Sequence, residues 1–79
     1  MKVIRTENRA VVIGNGQFSF VRHTNGTVDI LFNDIMISRC RTEAEAEQLL
    51  DNILDALMYN DLIKLEKGKI LVRGKRDAS

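Results

Sequence analysis

The sequence predicts an α+β fold in which an antiparallel β-meander of four to six strands carries one amphipathic helix packed on one face. Two Asn-Gly dipeptides lie between runs rich in β-branched and aromatic residues, which is the pattern of tight hairpins. A capping sequence is followed by one apolar stripe at helical spacing. Because proline and low-complexity segments are absent from the sequence, we expect residues 1–73 to form a single domain.

Hairpin turns account for the first half of the chain. The Asn-Gly dipeptide at 15–16 predicts that residues 10–14 pair with residues 17–21. The Asn-Asp dipeptide at 33–34 separates two further apolar runs and predicts another turn. Successive hairpins of this kind would build a meander.

The second Asn-Gly dipeptide, Asn25-Gly26, predicts a two-residue turn that sets the register of the central hairpin. With that turn, Arg22 lies directly opposite Asp29. Opposite charges across a ladder stabilise it, and a one-residue slip would lose them. The expected ion pair is therefore a check on the register.

The helix is predicted from about residue 43 to residue 60. In the capping box, the Thr42 hydroxyl accepts from the amide of Glu45 while the Glu45 carboxylate accepts from the amide of Thr42. The predicted core-facing stripe consists of Ala46, Leu49, Leu50, Ile53, Leu57 and Met58.

After the helix, strand-like runs at 62–66 and 69–73 flank a Lys-Gly turn. They predict a closing hairpin with Glu66 opposite Lys69. This hairpin could join the main sheet or extend past the domain towards a partner. The polar residues 74–79 are predicted to form a frayed basic tail.

Side chains suited to catalysis are scarce in this sequence. Cys40 is the only cysteine, and strand alternation between two arginines places it on the buried face. His23 is the only histidine, and we expect it to be solvated beside a turn. Asp51 and Asp55 share a helix face, but two exposed carboxylates lack the different environments that a catalytic acid and base require. We therefore expect no catalytic residue, no metal site and no cofactor.

Charge is segregated along the chain. Residues 42–61 contain six acidic side chains and no basic one, whereas the segments before and after them carry net positive charge. Acids late in a helix are unfavourable for the helix dipole, so their retention favours a role in recognition. The candidate partner-binding residues on this acidic helix face are Glu47, Asp51 and Asp55.

Arginine dominates over lysine in the first half of the chain. The planar guanidinium suits bidentate capture of phosphate or carboxylate. A nucleotide, a nucleic-acid backbone and an acidic protein surface are all compatible with it, and so is a solvated sheet face. The candidate phosphate-binding residues are Arg5, Arg9, Arg22, Arg39 and Arg41.

Apolar residues fall on both faces of the predicted meander, whereas one helix can cover only one face. We therefore expect a homodimer or a higher homo-oligomer. The residues that carry this expectation are Phe18, Phe20, Val21, Ile30, Leu31 and Phe32.

Two stretches resemble small uncharacterised proteins common in Gram-positive bacteria and their phages. Residues 4–12 resemble the opening pattern IRSQDK..LV, and residues 37–53 resemble the pattern LG.Y.T.E.A..VLD.I. Ser38 stands where that family has glycine, and Cys40 stands where it has tyrosine. The resemblance implies a phage or mobile-element origin, where compact proteins often act by stoichiometric binding to host machinery.

The predicted function is accordingly non-catalytic binding to a host protein, of the type that inhibits a bacterial defence system. The alternative is a sponge or binder of a phosphate-bearing ligand, either a signalling nucleotide or nucleic acid, through the arginines. The N-terminal sequence lacks the apolar stretch of a signal peptide, and no apolar run is long enough to span a membrane. A cytoplasmic protein without membrane association is therefore expected.

Overall fold

A computed structural model describes residues 1–71 and confirms the α+β fold class. Predicted features at residues 72–79, namely the last two strand residues and the tail, lie outside the described residues. Seven strands and one helix occur within residues 1–71. Their bounds are β1 Lys2–Arg5, β2 Ala10–Ile13, β3 Phe18–Arg22, β4 Val28–Phe32, β5 Ile35–Cys40, α1 Glu43–Tyr59, β6 Leu62–Glu66 and β7 Lys69–Leu71.

The strands form two sheets rather than one meander of four to six strands. A four-stranded sheet has the order β2-β1-β6-β7, and a three-stranded antiparallel meander has the order β3-β4-β5. β1 and β6 pair in parallel, with Val3 opposite Leu62, and the other pairings are antiparallel. The closing hairpin therefore joins the sheet that contains the first strand of the chain.

The hairpin predicted at Asn15-Gly16 is wrong, because β2 pairs with β1 and not with β3. The Asn-Gly dipeptide instead belongs to the link between the two sheets. Asn33 holds this link: its side-chain oxygen accepts from the amide of Gln17 at 3.2 Å, and its side-chain nitrogen donates to the carbonyl of Asn15 at 3.3 Å. Asn-Gly favours a sharp bend, and here the bend connects β2 of the first sheet to β3 of the second.

The central hairpin exists, but its predicted register is wrong by one residue. Arg22 lies opposite Val28, and Asp29 lies opposite Val21. The loop has three residues instead of two, because the amide of His23 donates to the carbonyl of Thr27 at 2.9 Å and Gly26 takes a φ of 95°. Three-residue loops with glycine at this left-handed position are a common hairpin class. The predicted pair of Arg22 with Asp29 therefore does not form.

Two other turns are confirmed. In the turn between β4 and β5, Asn33 and Asp34 have φ values of 50° and 70°. Asparagine and aspartate tolerate this region better than most residues, which explains their presence there. In the closing hairpin, Glu66 lies opposite Lys69 as predicted.

Helix α1 begins with the predicted cap, although one of the two predicted cap hydrogen bonds is different. The Thr42 hydroxyl accepts from the amide of Glu45 at 3.1 Å. The Glu45 carboxylate accepts from the amide of Arg41 at 3.1 Å, and not from that of Thr42. The Glu45 side chain therefore binds a backbone amide one residue earlier in the chain than expected.

The helix packs against both sheets and contributes to one shared core. Ile4 from the first sheet, Ile30 from the second and Ile53 from the helix are fully buried. Leu50 is half-buried, and Met58 is exposed, so the prediction of Met58 in the core is wrong. Within the described residues, no helix is long and apolar enough to cross a membrane.

Candidate functional site

The face of α1 that points away from the core carries the three predicted acids. Glu47, Asp51 and Asp55 are exposed and follow each other at four-residue spacing, which aligns them along one side of the helix. Among residues 1–71, none of the three takes part in an ion pair. Their carboxylates are therefore available to a positively charged partner.

Three large apolar side chains lie beside these carboxylates. Leu54 is 47% exposed, Met58 is 70% exposed and Tyr59 is 74% exposed. Each lies three or four residues from Asp51 or Asp55, so it is adjacent to one of them on the helix surface. The six residues Glu47, Asp51, Leu54, Asp55, Met58 and Tyr59 are called the helix docking face below.

Sequence reasoning missed the apolar part of this face because it placed Met58 in the core. The spacing contained the signal that would have corrected it. Met58 is four residues from Leu54 and five from the buried Ile53, so a period of 3.6 residues groups it with Leu54. The angular position of Met58 around the helix, and not its hydrophobicity alone, therefore indicates that it is exposed.

Two of the five candidate arginines are engaged within the protein. Arg22 donates to the two carboxylate oxygens of Glu43 at 2.9 Å and 2.7 Å, which lowers the pKa of Glu43. Arg39 donates to the two oxygens of Asp29 at 2.7 Å and 3.2 Å. Arg5 is exposed on β1, where its register partner on β6 is Lys64. The five arginines therefore do not converge on one site.

Arg9, Arg39 and Arg41 do line one cleft of about 550 Å³. It lies between the β1–β2 turn, strand β5, the first half of α1 and the β6–β7 turn, and it also includes Lys67 and Lys69. These two lysines could not be assigned to the site from the sequence, since the β6–β7 turn is far from the arginines along the chain. We call this feature the basic cleft.

Among residues 1–71, Asp29 is the one charged residue that is buried, and it is 7% exposed. Besides its two bonds from Arg39, its Oδ2 lies 2.9 Å from Nε2 of His23. Hydrogen bonding to Arg39 is the main cause that lowers the pKa of Asp29 to about 2, with a further contribution from His23. The sequence predicts a solvated His23, whereas in the structure its ring contacts the Asp29 carboxylate.

Cys40 is buried, as predicted. Burial is the main cause that raises the pKa of its thiol, and the nearby carboxylates of Glu45 and Asp29 add to it. A thiol with a raised pKa is a poor nucleophile near neutral pH. In the described part of the chain, no group of three or more His, Cys, Asp or Glu side chains is placed to hold a metal ion.

No family model matches the chain, and no curated protein or solved structure matches it. Function must therefore be inferred from the two surfaces described above.

Proposed function

We propose that the protein is a non-catalytic binding protein that uses the helix docking face to bind a basic surface of a partner protein. The observation that carries this proposal is the combination, on one helix, of the exposed Leu54, Met58 and Tyr59 with three carboxylates that form no ion pair within residues 1–71. Tyrosine and methionine are enriched at protein interfaces, where they provide the buried anchors. Surrounding charges steer the encounter and select the partner.

The cost of this arrangement to the isolated chain supports the same proposal. Asp55 lies in the C-terminal half of α1, near the negative end of the helix dipole, and the last turn contains no basic residue. Because the effect of the helix dipole falls off within the last turn, such a charge just before it costs at most a few tenths of a kcal/mol. Since nothing within residues 1–71 offsets the charge by an ion pair, a bound partner is the natural source of compensation.

The resemblance to small proteins of Gram-positive bacteria and their phages makes a cytoplasmic host protein the partner that we propose to test first. Inhibition of a host defence protein by stoichiometric binding is the specific activity we propose. Such inhibition needs only a complementary surface and no chemistry of its own.

The test passes lysate of a Gram-positive host over the immobilised protein and quantifies bound proteins by mass spectrometry. The variant Asp51→Lys/Asp55→Lys should lose the partner, and so should Met58→Ala/Tyr59→Ala. Glu7→Lys/Glu66→Lys is the matched control, because it makes the same charge change at exposed carboxylates outside α1. Circular dichroism checks that each variant is folded.

A partner retained at full stoichiometry by both helix variants would exclude the helix docking face as its binding surface. Equal loss in the control would show that net charge alone governs capture. If no protein is retained in stoichiometric amount, the proposed function is wrong.

We also propose that the chain forms a homo-oligomer through the sheet faces that point away from α1. Val12, Val3 and Leu62 form one row across the four-stranded sheet on the face opposite the buried Ile4, and Val12 and Leu62 are exposed. Val21 is also exposed, on the three-stranded sheet. Light scattering at micromolar concentration should give a mass above the 9.0 kDa of one chain, and a mass of one chain would refute this.

A further inference from the structure

We propose that the basic cleft is a second, separate binding site, and that it takes a small organic pyrophosphate of the nucleoside diphosphate class. The site is formed by four segments that are distant in sequence and come from both sheets and the helix. Its volume of about 550 Å³ lies within the roughly 300–1,000 Å³ of typical small-molecule sites.

The charges around the cleft favour an anion. Five basic side chains line it, against the two carboxylates of Glu7 and Glu45. The Glu45 carboxylate already accepts from the amide of Arg41, and Arg39 is held by Asp29. Four basic side chains remain without an ion pair within residues 1–71, and these are Arg9, Arg41, Lys67 and Lys69.

These four side chains come from separate elements that meet at the cleft. Arg9 lies in the β1–β2 turn and Arg41 directly follows β5, while Lys67 lies in the β6–β7 turn and Lys69 begins β7. A guanidinium can bind a phosphate in bidentate fashion, and a lysine ammonium acts as a point charge for it. Cations that approach from separate elements can contact different oxygens of the same pyrophosphate.

The other residues that line the cleft favour an organic ligand over inorganic phosphate. Leu49 and Leu65 are buried residues that also line the cleft and contribute apolar character to it. Gln48 and Asn52 add amide groups at the helix side; Gln48 Nε2 donates to Asn52 Oδ1 at 3.2 Å, and the Gln48 oxygen and the Asn52 nitrogen can still accept from or donate to hydroxyls or base edges. Inorganic phosphate would leave these apolar residues and amides unused.

The cleft and the helix docking face adjoin on α1 but consist of different residues. Gln48, Leu49 and Asn52 line the cleft, whereas none of the six residues of the helix docking face does. Asp55 lies next to the cleft, since it shares a smaller neighbouring pocket with Asn52 and Lys69. The proposal does not depend on the proposed function, because the two use different side chains. Either one can be correct if the other is wrong.

The test is an NMR titration of the full chain with ADP, with inorganic pyrophosphate as a second probe and sodium sulfate as the ionic-strength control. ADP should give saturable shifts in the amides of residues 6–9, 36–41 and 67–69. Arg9→Ala and Arg41→Ala should each weaken binding about tenfold, or about 1.4 kcal/mol, because each removes a charge-assisted hydrogen bond to the ligand. The matched control, Arg5→Ala, removes an exposed arginine outside the cleft and should change the affinity by less than about twofold.

The variants are suited to this test because the β1–β2 turn is held by other atoms. The Thr6 hydroxyl accepts from the amides of Asn8 and Arg9, so the turn does not need the arginine side chain. Lys67→Ala/Lys69→Ala tests the opposite rim, and it should also weaken ADP binding. Each variant's spectrum shows whether it is folded.

Four outcomes would overturn the proposal. Absence of saturable shifts at millimolar ADP would exclude the site. An Arg5→Ala effect as large as that of Arg9→Ala would reduce the binding to general electrostatic attraction. Equal affinities for pyrophosphate and ADP, or tighter binding of a single-stranded oligonucleotide with shifts spread outside the cleft, would exclude a nucleoside diphosphate as the ligand class.

Discussion

Replacement of Asp29 by asparagine should change both the stability of the protein and its dependence on pH. The Asp29 carboxylate is 7% exposed and accepts both hydrogen bonds of Arg39. Its pKa is lowered from 3.8 to about 2 in the folded protein, chiefly by these bonds. The separation of the two values corresponds to about 2 kcal/mol of unfolding free energy.

The sign of the pH dependence follows from the direction of the pKa shift. Because the folded-state pKa lies below that of the unfolded chain, the ionised carboxylate stabilises the fold fully at pH values above 3.8. That contribution is lost as the pH falls through about 2. The wild type should therefore exceed Asp29→Asn by about 2 kcal/mol at neutral pH, and the difference should shrink towards zero near the folded-state pKa.

Urea unfolding followed by far-UV circular dichroism, repeated from neutral to strongly acidic pH, measures both quantities. Glu66→Gln is the control, because it neutralises an exposed carboxylate and should change stability by less than about 0.5 kcal/mol at every pH. A difference between wild type and Asp29→Asn that stays constant over the whole pH range would refute the reasoning. In that case packing or hydrogen bonding alone, and not ionisation, would explain the effect.

Substitutions at three further places test the fold. Ile53→Ala removes a fully buried side chain and should cost about 2–5 kcal/mol in urea unfolding, whereas Leu54→Ala on the exposed side should cost less than about 1 kcal/mol; equal costs would contradict the assigned helix orientation. Thr42→Ala removes the acceptor of the Glu45 amide and should cost about 1 kcal/mol by the same assay, while Thr42→Ser should restore most of it. Gly16→Ala would place a Cβ against the Asn33 side chain and should lower the unfolding free energy by roughly 1–3 kcal/mol, so an unchanged urea midpoint would show that the link between the sheets is not tightly packed.

Local signals in the sequence were sufficient for the fold class but not for the division into two sheets. The Thr42 cap, the Asn33-Asp34 turn and the Glu66–Lys69 pairing each depend on residues that are close in sequence, and all three are present. The register of the central hairpin depended on whether Gly26 occupies a two- or a three-residue loop, and Asn-Gly occurs in both.

The two candidate surfaces also differ in how far local signals in the sequence predict them. The acids of the helix docking face are placed by helical period alone, so their common exposure could be predicted. The basic cleft depends on strand pairing between β1 and β6, which brings the β1–β2 turn and the β6–β7 turn together. Nothing in the local pattern around Arg9 or Lys67 indicates that pairing, because it connects segments at opposite ends of the described chain.

The parallel pairing of β1 with β6 also determines the order in which the protein can fold during its synthesis. The three-stranded sheet uses only residues 18–40, so it can form as soon as that stretch has left the ribosome. The four-stranded sheet has β1 in its interior, and β1 must wait for β6 before both of its edges are paired. Until residues 62–64 emerge, β1 exposes an open edge that can pair with other chains. Nascent copies made close together on one messenger can therefore mispair at β1, and pairing with β6 closes that edge.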